Sequence, residues 1–542
     1  MIYQWLWRNA SVAPDIDLPK RILEARDIAL SHLDRMDLSA IEQPTVYTDI
    51  HAVHTRILKA KSEKQPILIY GDYDADGITG SSILHRALSH LECLVEVYIP
   101  ERISDGYGLN SKAALQQTKN VPSLIITCDN GLGAQKEILT LESAGYEVIV
   151  VDHHLSPETD PIQCLQISPH KYEGRFKQSY LSGAGLAWIL AWHLCGEQKA
   201  RELLPLAAIG TIADLVPCLD GNRVITKLGL LGLSHTTIPG LRELLRQCNF
   251  YEGETISSRQ VAFEIAPRIN AAGRMNQAFK AVQAFVSDDP LIALHSANEL
   301  HLLNARRKEL DKIVTRGAID QIERSHFKDS VILCAKSEGW SPGVIGIAAS
   351  RLKQKYNRPS IVIAINGETA IGSGRSIDNI NLHTAIKPLK HLMTAFGGHA
   401  QAIGFSMPAD NLDEFIEALK NDIGDKMDRK LLRKQINIDA KVGFDEIQDD
   451  AIEQWFENVG PYGKGFEEPV FVLENQKVIL INGDVCRLED KASHKDMAMV
   501  LSYEVASRLR QGDTIDALVQ ISTQIRNKPF VQRCIDYQYN DK

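Results

Sequence analysis

The sequence predicts an α/β protein. It should hold a parallel-sheet domain, a second α/β domain joined to it by a long helix, and a small C-terminal β barrel. Three observations predict this. Residues 66–152 alternate short apolar runs with amphipathic stretches, the alternation restarts near residue 331, and beyond a charged stretch at 424–434 only short strand-like runs remain.

The first array consists of PILIYG (66–71), CLVEVYIP (93–100), SLIITCD (123–129) and YEVIVVD (146–152), with helix-like segments at 77–90, 111–119 and 133–144. Near-continuous apolar runs of this length, separated by helices, mark strands buried on both faces of a parallel sheet. Helical character dominates from 182 to about 250. In 288–325, Leu310, Ile313, Val314, Ala318 and Ile322 recur at helical spacing, which predicts the connecting helix. The second array runs through VILCAK (331–336), SIVIAI (360–365) and AIGSGRS (370–376) to about 423. GDKMDRKLLRK (424–434) reads as a linker. Runs at 477–482, 497–503, 515–521 and 529–536 suggest a barrel of OB type. The expected domains are therefore an N-terminal extension (1–65), the first α/β domain (66–287), the connecting helix (288–327), the second α/β domain (328–424) and the barrel (433–542).

Composition narrows the function classes. Across 542 residues the chain is 44% apolar and 24% charged, with a net charge of −9, which argues against a uniformly basic nucleic-acid binder. A local basic groove stays open. Nine cysteines with no C-x-x-C pair exclude a zinc ribbon and suit reduced thiols in the cytoplasm. Asp15 and Asp17 interrupt the N-terminus before any signal-like core forms, and no apolar run is long enough to span a bilayer. A cytoplasmic protein without a membrane partner is expected.

The chemistry-bearing residues follow predicted strands. GDYDADG places Asp72, Asp74 and Asp76 after the first, CDNG places Asp129 after another, and VDHH places Asp152, His153 and His154 after the next. Sites in open parallel sheets form at the carboxyl ends of strands, so these residues should converge on one rim. Each motif alone has an ordinary explanation as a turn, helix cap or surface residue. Three acidic strand ends in one array are hard to explain as caps alone. Carboxylates with imidazole and no thiolate suit Mn²⁺ or Mg²⁺, and two such ions can activate water against a phosphodiester.

On these motifs the sequence resembles the DHH phosphoesterase superfamily. GDYDADGITG (71–80), CDNG (128–131), DHH (152–154) and IGTIADLVP (209–217) match its four motifs in order. APRINAAGRM (266–275), GVIGIAASRL (343–352), GSGRS (372–376) and GGHAQAIG (397–404) extend the likeness to about residue 475, toward members with a DHHA1-type second domain that degrade single-stranded DNA. The resemblance implies two ions, Mn²⁺ or Mg²⁺, held by Asp74, Asp76, Asp129, His153 and Asp214. It makes Asp129 the bridging group and His154 a catalytic neighbour of the scissile phosphate. Asp72 is expected behind the ligands. Asp214 enters only through the resemblance, because its apolar helical setting reads as a cap. Tyr70 stands where some relatives carry histidine, Ser341 follows Trp340 where histidine is common, and Phe466 and Glu467 depart from a usual G-N-P-E-P run.

Groups for the nucleic acid are Arg102 and Tyr107 beyond a strand end, Arg274, and the Gly-flanked Ser373 and Arg375. His399 joins them by likeness to a glycine-histidine motif. Lys491, His494, Lys495, Arg508, Arg510, Arg526, Lys528 and Arg533 could line a strand track on the barrel, or form a solvated mixed-charge surface. The resemblance implies a metal-dependent 5′-to-3′ exonuclease of recombination and repair, with single-stranded DNA as substrate. It also implies a single-strand-binding protein and a RecQ-type helicase as partners. A cleft built within one chain needs no second subunit, so a monomer is expected. The alternatives are a phosphodiesterase of short oligonucleotides, whose members lack the barrel, and a non-catalytic replication scaffold, which the intact carboxylates oppose.

Overall fold

The computed structural model describes residues 3–9, 16–28, 33, 37–101, 106, 108–156, 161–173, 181–325, 327, 330–424, 428–491, 493–522 and 531–539. The chain divides into two compact units. One comprises Trp7–Leu303 with Asn437–Lys542, the other Ile2–Leu6 with Asn304–Ile436.

The first unit contains a five-stranded parallel sheet of β1 (Ile67–Gly71), β2 (Val95–Tyr98), β3 (Leu124–Cys128), β4 (Glu147–Val151) and β5 (Leu165–Ile167). Its order is β2-β1-β3-β4-β5. β1 and β3 are buried at every position, which is why their sequences are unbroken apolar runs rather than alternating ones. The first connection runs to one side of β1 and the later ones to the other, so the sheet switches direction between β1 and β3. Gly71 pairs with Cys128 across that switch, so both strands end at one level. Ligand crevices of open α/β sheets form at such a point. The strands are shorter than the apolar runs that announced them. Three-residue β5 had no legible signal.

Helix α1 (Ala75–His90) follows β1, and α2 (Gly183–Ala213), two helical segments that meet at a kink at Gly196 (φ +80°), packs on it. Gly77, Thr79, Gly80, Ser81 and Ser82 of α1 are all buried, and a Cβ on Gly80 would stand 2.6 Å from Cys128 Sγ. Small residues let two helices and a strand approach closely beneath the switch point. The predicted helical region 182–250 resolves into α2, Asp220–Leu233 and Pro239–Gln247. α3 (Ala266–Arg274) and α4 (Pro290–Arg324) follow, and α4 is the expected connecting helix. Leu38, Ile41, Tyr47, Ile50, Val53 and Ile57 bury in the same apolar core as β1, β3 and α2.

The second unit carries β6 (Leu333–Glu338), α5 (Ile345–Tyr356), β7 (Ser360–Asn366), β8 (Thr369–Arg375), β9 (Ala395–His399) and β10 (Ala402–Pro408). The sheet order is β9-β10-β8-β7-β6, with β6 and β7 parallel and the other pairs antiparallel. Val344, Ile345, Ala348, Ala349 and Leu352 of the α5 region pack against Val362 and Ala364 of β7.

In the first unit, β11 (Val470–Asn482), β12 (Val485–Asp490), β13 (Asp496–Leu501), β14 (Thr514–Ser522) and β15 (Val531–Tyr539) form a closed ladder. It runs β11-β12-β13-β15-β14 and returns to β11, as the expected small barrel requires. β12 escaped the sequence reading because VCRLED is half charged. The segment before the barrel is fastened to the helices. Arg223, 1% exposed, donates to the carbonyls of Val459 and Pro461, and Arg26 forks onto Asp439 at 2.7 and 2.9 Å. Among the described residues no helix is long and apolar enough to cross a membrane.

Candidate metal centre

The loop after β1 delivers three aspartates with separate local duties. Asp74 caps α1, accepting from the N–H groups of Asp76 (2.9 Å) and Gly77 (3.1 Å). Asp76 lies in the first turn of α1 and is 1% exposed. Its two oxygens accept from Gly183 N (2.7 Å) and Ala184 N (2.9 Å), the amino end of α2. The positive end of that helix's dipole offsets the burial of a carboxylate. Asn270 of α3 accepts from Ala75 N at 2.9 Å and clamps the loop from above.

Asp129 follows β3 with φ +62°, a left-handed conformation that aspartate and asparagine tolerate best among non-glycine residues. Gly183 closes in on it so tightly that a Cβ there would lie 2.6 Å from its Oδ1. Asn130 Nδ2 donates to Tyr70 O (3.2 Å) and Cys128 O (3.0 Å), tying together the ends of β1 and β3. After β4, Asp152 accepts from Leu132 N (2.9 Å) and holds His154 Nδ1 at 2.8 Å. Asp214 caps the carboxyl end of α2.

These side chains converge. His153 Nε2 stands 3.2 Å from Asp129 Oδ1, 3.6 Å from Asp214 Oδ2 and 3.9 Å from Asp76 Oδ2. Three trios each bring their ligand atoms within 4.8 Å of one another: Asp129–His153–His154, Asp76–His153–Asp214 and Asp72–Asp74–Asp129. Asp129 and His153 each belong to two of them, and of the two only the carboxylate has a second oxygen with which to bridge. Asp72 stands among the carboxylates rather than behind them. Asp152 joins no trio, because backbone N–H groups and His154 claim its oxygens.

Electrostatics show what the cluster lacks. Burial first, then the charges of Asp76, Asp74, Asp72 and Asp214, push the Asp129 carboxyl far above its ordinary range. Burial and Asp74 raise Asp76 to about 7 against the helix N–H groups. Burial, Asp76 and Asp74 raise Asp214 to about 8, opposed by His154 and Lys464. Burial and the neighbouring His154 lower His153 to about 4, so its contacts with the carboxylates are not ion pairs. Burial would also lower His154, but the hydrogen bond and charge of Asp152 lift it to about 9. Asp129 Oδ1 and His153 Nε2 are buried without a hydrogen-bond partner. Crowded carboxylates, a neutral imidazole and unpartnered lone pairs fit divalent cations with oxygen preference, and no thiolate is present to favour structural zinc.

Other expected residues are distributed more widely. Arg102 and Tyr107 lie outside the described residues. Arg274 is half-buried at the end of α3, next to Gly273, which packs on Tyr73 O. In the second unit, Arg375 Nη1 donates to Ser373 Oγ (3.1 Å) and Gly374 O (2.8 Å). The amino end of α5 covers that pair, with a Cβ at Gly346 standing 3.0 Å from both side chains. His399 is exposed on edge strand β9. Tyr70 is fully buried in the apolar cluster with Leu109, Ile125 and Val150, and so serves as core rather than ligand. On the barrel, Lys495 pairs with Asp445 and His494 lies 3.6 Å from Glu489, so part of the expected basic face is already matched, while Arg526 and Lys528 lie outside the described residues. The sequence reading missed Gly183, Asn130 and Asn270. The only legible hint was the small-residue run SGAG before an apolar helix.

A parallel sheet whose switch point gathers aspartates and DHH-motif histidines defines a phosphoesterase of the DHH class. The model of the DHH family, N-terminal domain, matches residues 66–211, and that of the DHHA1 domain matches residues 329–425. The single-stranded-DNA-specific exonuclease RecJ of Escherichia coli (strain K12) is 32% identical over 439 residues, covering 77% of this chain and 76% of that protein. RecJ of Dickeya dadantii (strain 3937) is 33% identical over 437 residues, with 76% of each covered. RecJ of Bacillus subtilis (strain 168) is 37% identical over 425 residues, 78% of this chain, but the match spans only 53% of that longer protein. The crystal structure of RecJ with Mn²⁺ from Thermus thermophilus matches with a TM-score of 0.80 at 26% identity, covering 99% of this chain and 80% of that one. Its Mg²⁺ complex matches at 0.75 and 25%, covering 99% and 79%. The chain belongs to the RecJ family.

Proposed function

We propose that the chain is a metal-dependent exonuclease that removes nucleotides from single-stranded DNA in the 5′-to-3′ direction. The observation that carries the reading is Asp129. One carboxylate, fixed by a left-handed backbone and a glycine wall, takes part in two ligand trios. Asp74, Asp76, Asp129, His153 and Asp214 would hold two Mn²⁺ or Mg²⁺ ions, with Asp72 beside Asp74. When bound, the ions supply an activated water and charge stabilisation for in-line displacement at phosphorus.

The chain's own residues set the geometry. Asp76 is held in one orientation because the amino end of α2 donates to both of its oxygens. Asp152 fixes the His154 ring through Nδ1, and the ring, 37% exposed, can donate to a non-bridging oxygen as charge develops. Arg102, Tyr107, Arg274, Ser373, Arg375 and His399 are assigned to the strand and its 5′-phosphate, which bears more charge than an internal diester. The DNA, a single-strand-binding protein and a RecQ-type helicase are the proposed partners, the protein acts as a monomer in the cytoplasm, and the five-part division above is its proposed domain layout.

The test is digestion of one single strand labelled at either end. The reading predicts metal-dependent release of mononucleotides from the 5′ end, with a duplex of the same sequence spared. Release from the 3′ end, or equal digestion of duplex, would overturn it.

A further inference from the structure

Asp214 is followed by Leu215, whose φ is +59° and whose side chain is 62% exposed. The left-handed turn ends the helix at Asp214, and it leaves the leucine side chain facing solvent rather than the core. Leu215 forms the lip of a hollow in the first unit, whose lining also includes Phe263, Arg259, Tyr462, Lys464 and Gln520 of β14. Phe263 is 68% exposed and sits on a π-helical turn, Val261–Ile265, directly before α3. The wide turn carries the ring out of the core that Val261 and Ile265 enter, and such turns recur at functional sites. The Arg259 guanidinium lies 5.0 Å from the ring centroid. Lys464 is close enough for its charge to act on Asp214. The acidic groups at the rim are engaged: Glu467 pairs with Arg8 at 3.4 Å, and Glu468 accepts from Ser522 Oγ at 2.8 Å.

Resting on the exonuclease reading, we propose that this hollow is a base-stacking subsite for a nucleotide of the single strand next to the one being cleaved. Phe263 and Leu215 supply the apolar faces, and Arg259 and Lys464 supply cations for the adjoining phosphates. A nucleobase is the occupant because the hollow is lined by Leu215, the residue directly after Asp214. The hollow also couples an exposed aromatic face to two cations, the pairing that binds single strands without reading sequence.

The test is equilibrium binding of short single strands in chelator, where nothing is cleaved. A single abasic residue is moved stepwise from the 5′ end, for wild type, Phe263→Ala and Phe263→Trp. The subsite predicts one position near the 5′ end at which base removal weakens wild-type binding about tenfold. That penalty should vanish in Phe263→Ala and return in Phe263→Trp. Because Phe263 is exposed, both variants should melt with wild type. Equal penalties in all three proteins would overturn the subsite. So would a change in self-association on sizing with unchanged strand binding, which would assign the hollow to a second copy of the chain. Either result leaves the nuclease reading intact, and that reading fails separately if wild type cleaves no strand.

Discussion

Gly183→Ala adds one methyl group and removes no functional atom, yet it should cripple the centre. The new Cβ would lie 2.6 Å from Asp129 Cβ and Oδ1 and 2.8 Å from Cγ, about 0.8 Å short of ordinary contact. Neither side yields easily. Asp129 is pinned in a left-handed conformation, and Gly183 N is held by Asp76 Oδ2 at 2.7 Å. The carboxylate must therefore move by most of that shortfall. Displacing a reacting or metal-holding group by about 1 Å costs on the order of a hundredfold in rate, and overpacking costs about 1–3 kcal/mol of stability. Hydrolysis of a 5′-labelled strand at saturating Mn²⁺, a Mn²⁺ titration and a melting curve separate the two effects. Gly133→Ala is the control, because nothing lies within 4 Å of its Cβ. A Gly183→Ala protein with wild-type rate and metal affinity would refute the reasoning.

Three further outcomes are expected. Asp152→Asn should lower kcat about 10–100-fold while Mn²⁺ affinity changes little, since Asp152 orients His154 and joins no ligand trio; an unchanged kcat would contradict this. Arg375→Ala should cut the preference for a 5′-phosphate over a 5′-hydroxyl end by about 1.5–3 kcal/mol, and a mutant that keeps the full rate ratio removes Arg375 from that role. In metal-free protein, Asp76 and Asp214 bind protons more tightly folded than unfolded, so their contribution to stability is lost as pH rises through about 7 and 8. The rise in Tm on adding Mn²⁺ should therefore grow with pH across that window, and a constant or shrinking rise would contradict it.

Much of this was legible in the sequence because the sheet is buried on both faces. Apolar runs such as ILIYG have no polar alternation to obscure them, and the acids that follow stand out. The strand-end rule alone puts Asp74, Asp76, Asp129 and His153 on one rim. Asp214 was not legible by that route. It ends the second, apolar segment of α2, and only close packing of α2 on α1 brings it to the centre. Gly183 and Asn270 were hidden for the same reason, since their roles depend on contacts between distant parts of the chain. Asp152 also follows β4, but backbone donors and His154 consume its oxygens. β12 was missed because its charged residues alternate with the two that bury, Cys486 and Leu488.

The proposed chemistry depends on Asp129 uniting two ions into one hydrolytic centre. Asp129→Asn tests this most directly, because asparagine accepts the left-handed backbone and keeps the shape while removing the charge. Mn²⁺ binding by calorimetry should fall from two ions per chain in wild type to a weaker, incomplete occupancy in the variant. Release of nucleotides from a 5′-labelled strand should disappear while the melting curve stays cooperative. A folded Asp129→Asn protein that still binds two ions and degrades the strand in Mn²⁺ would contradict the claim.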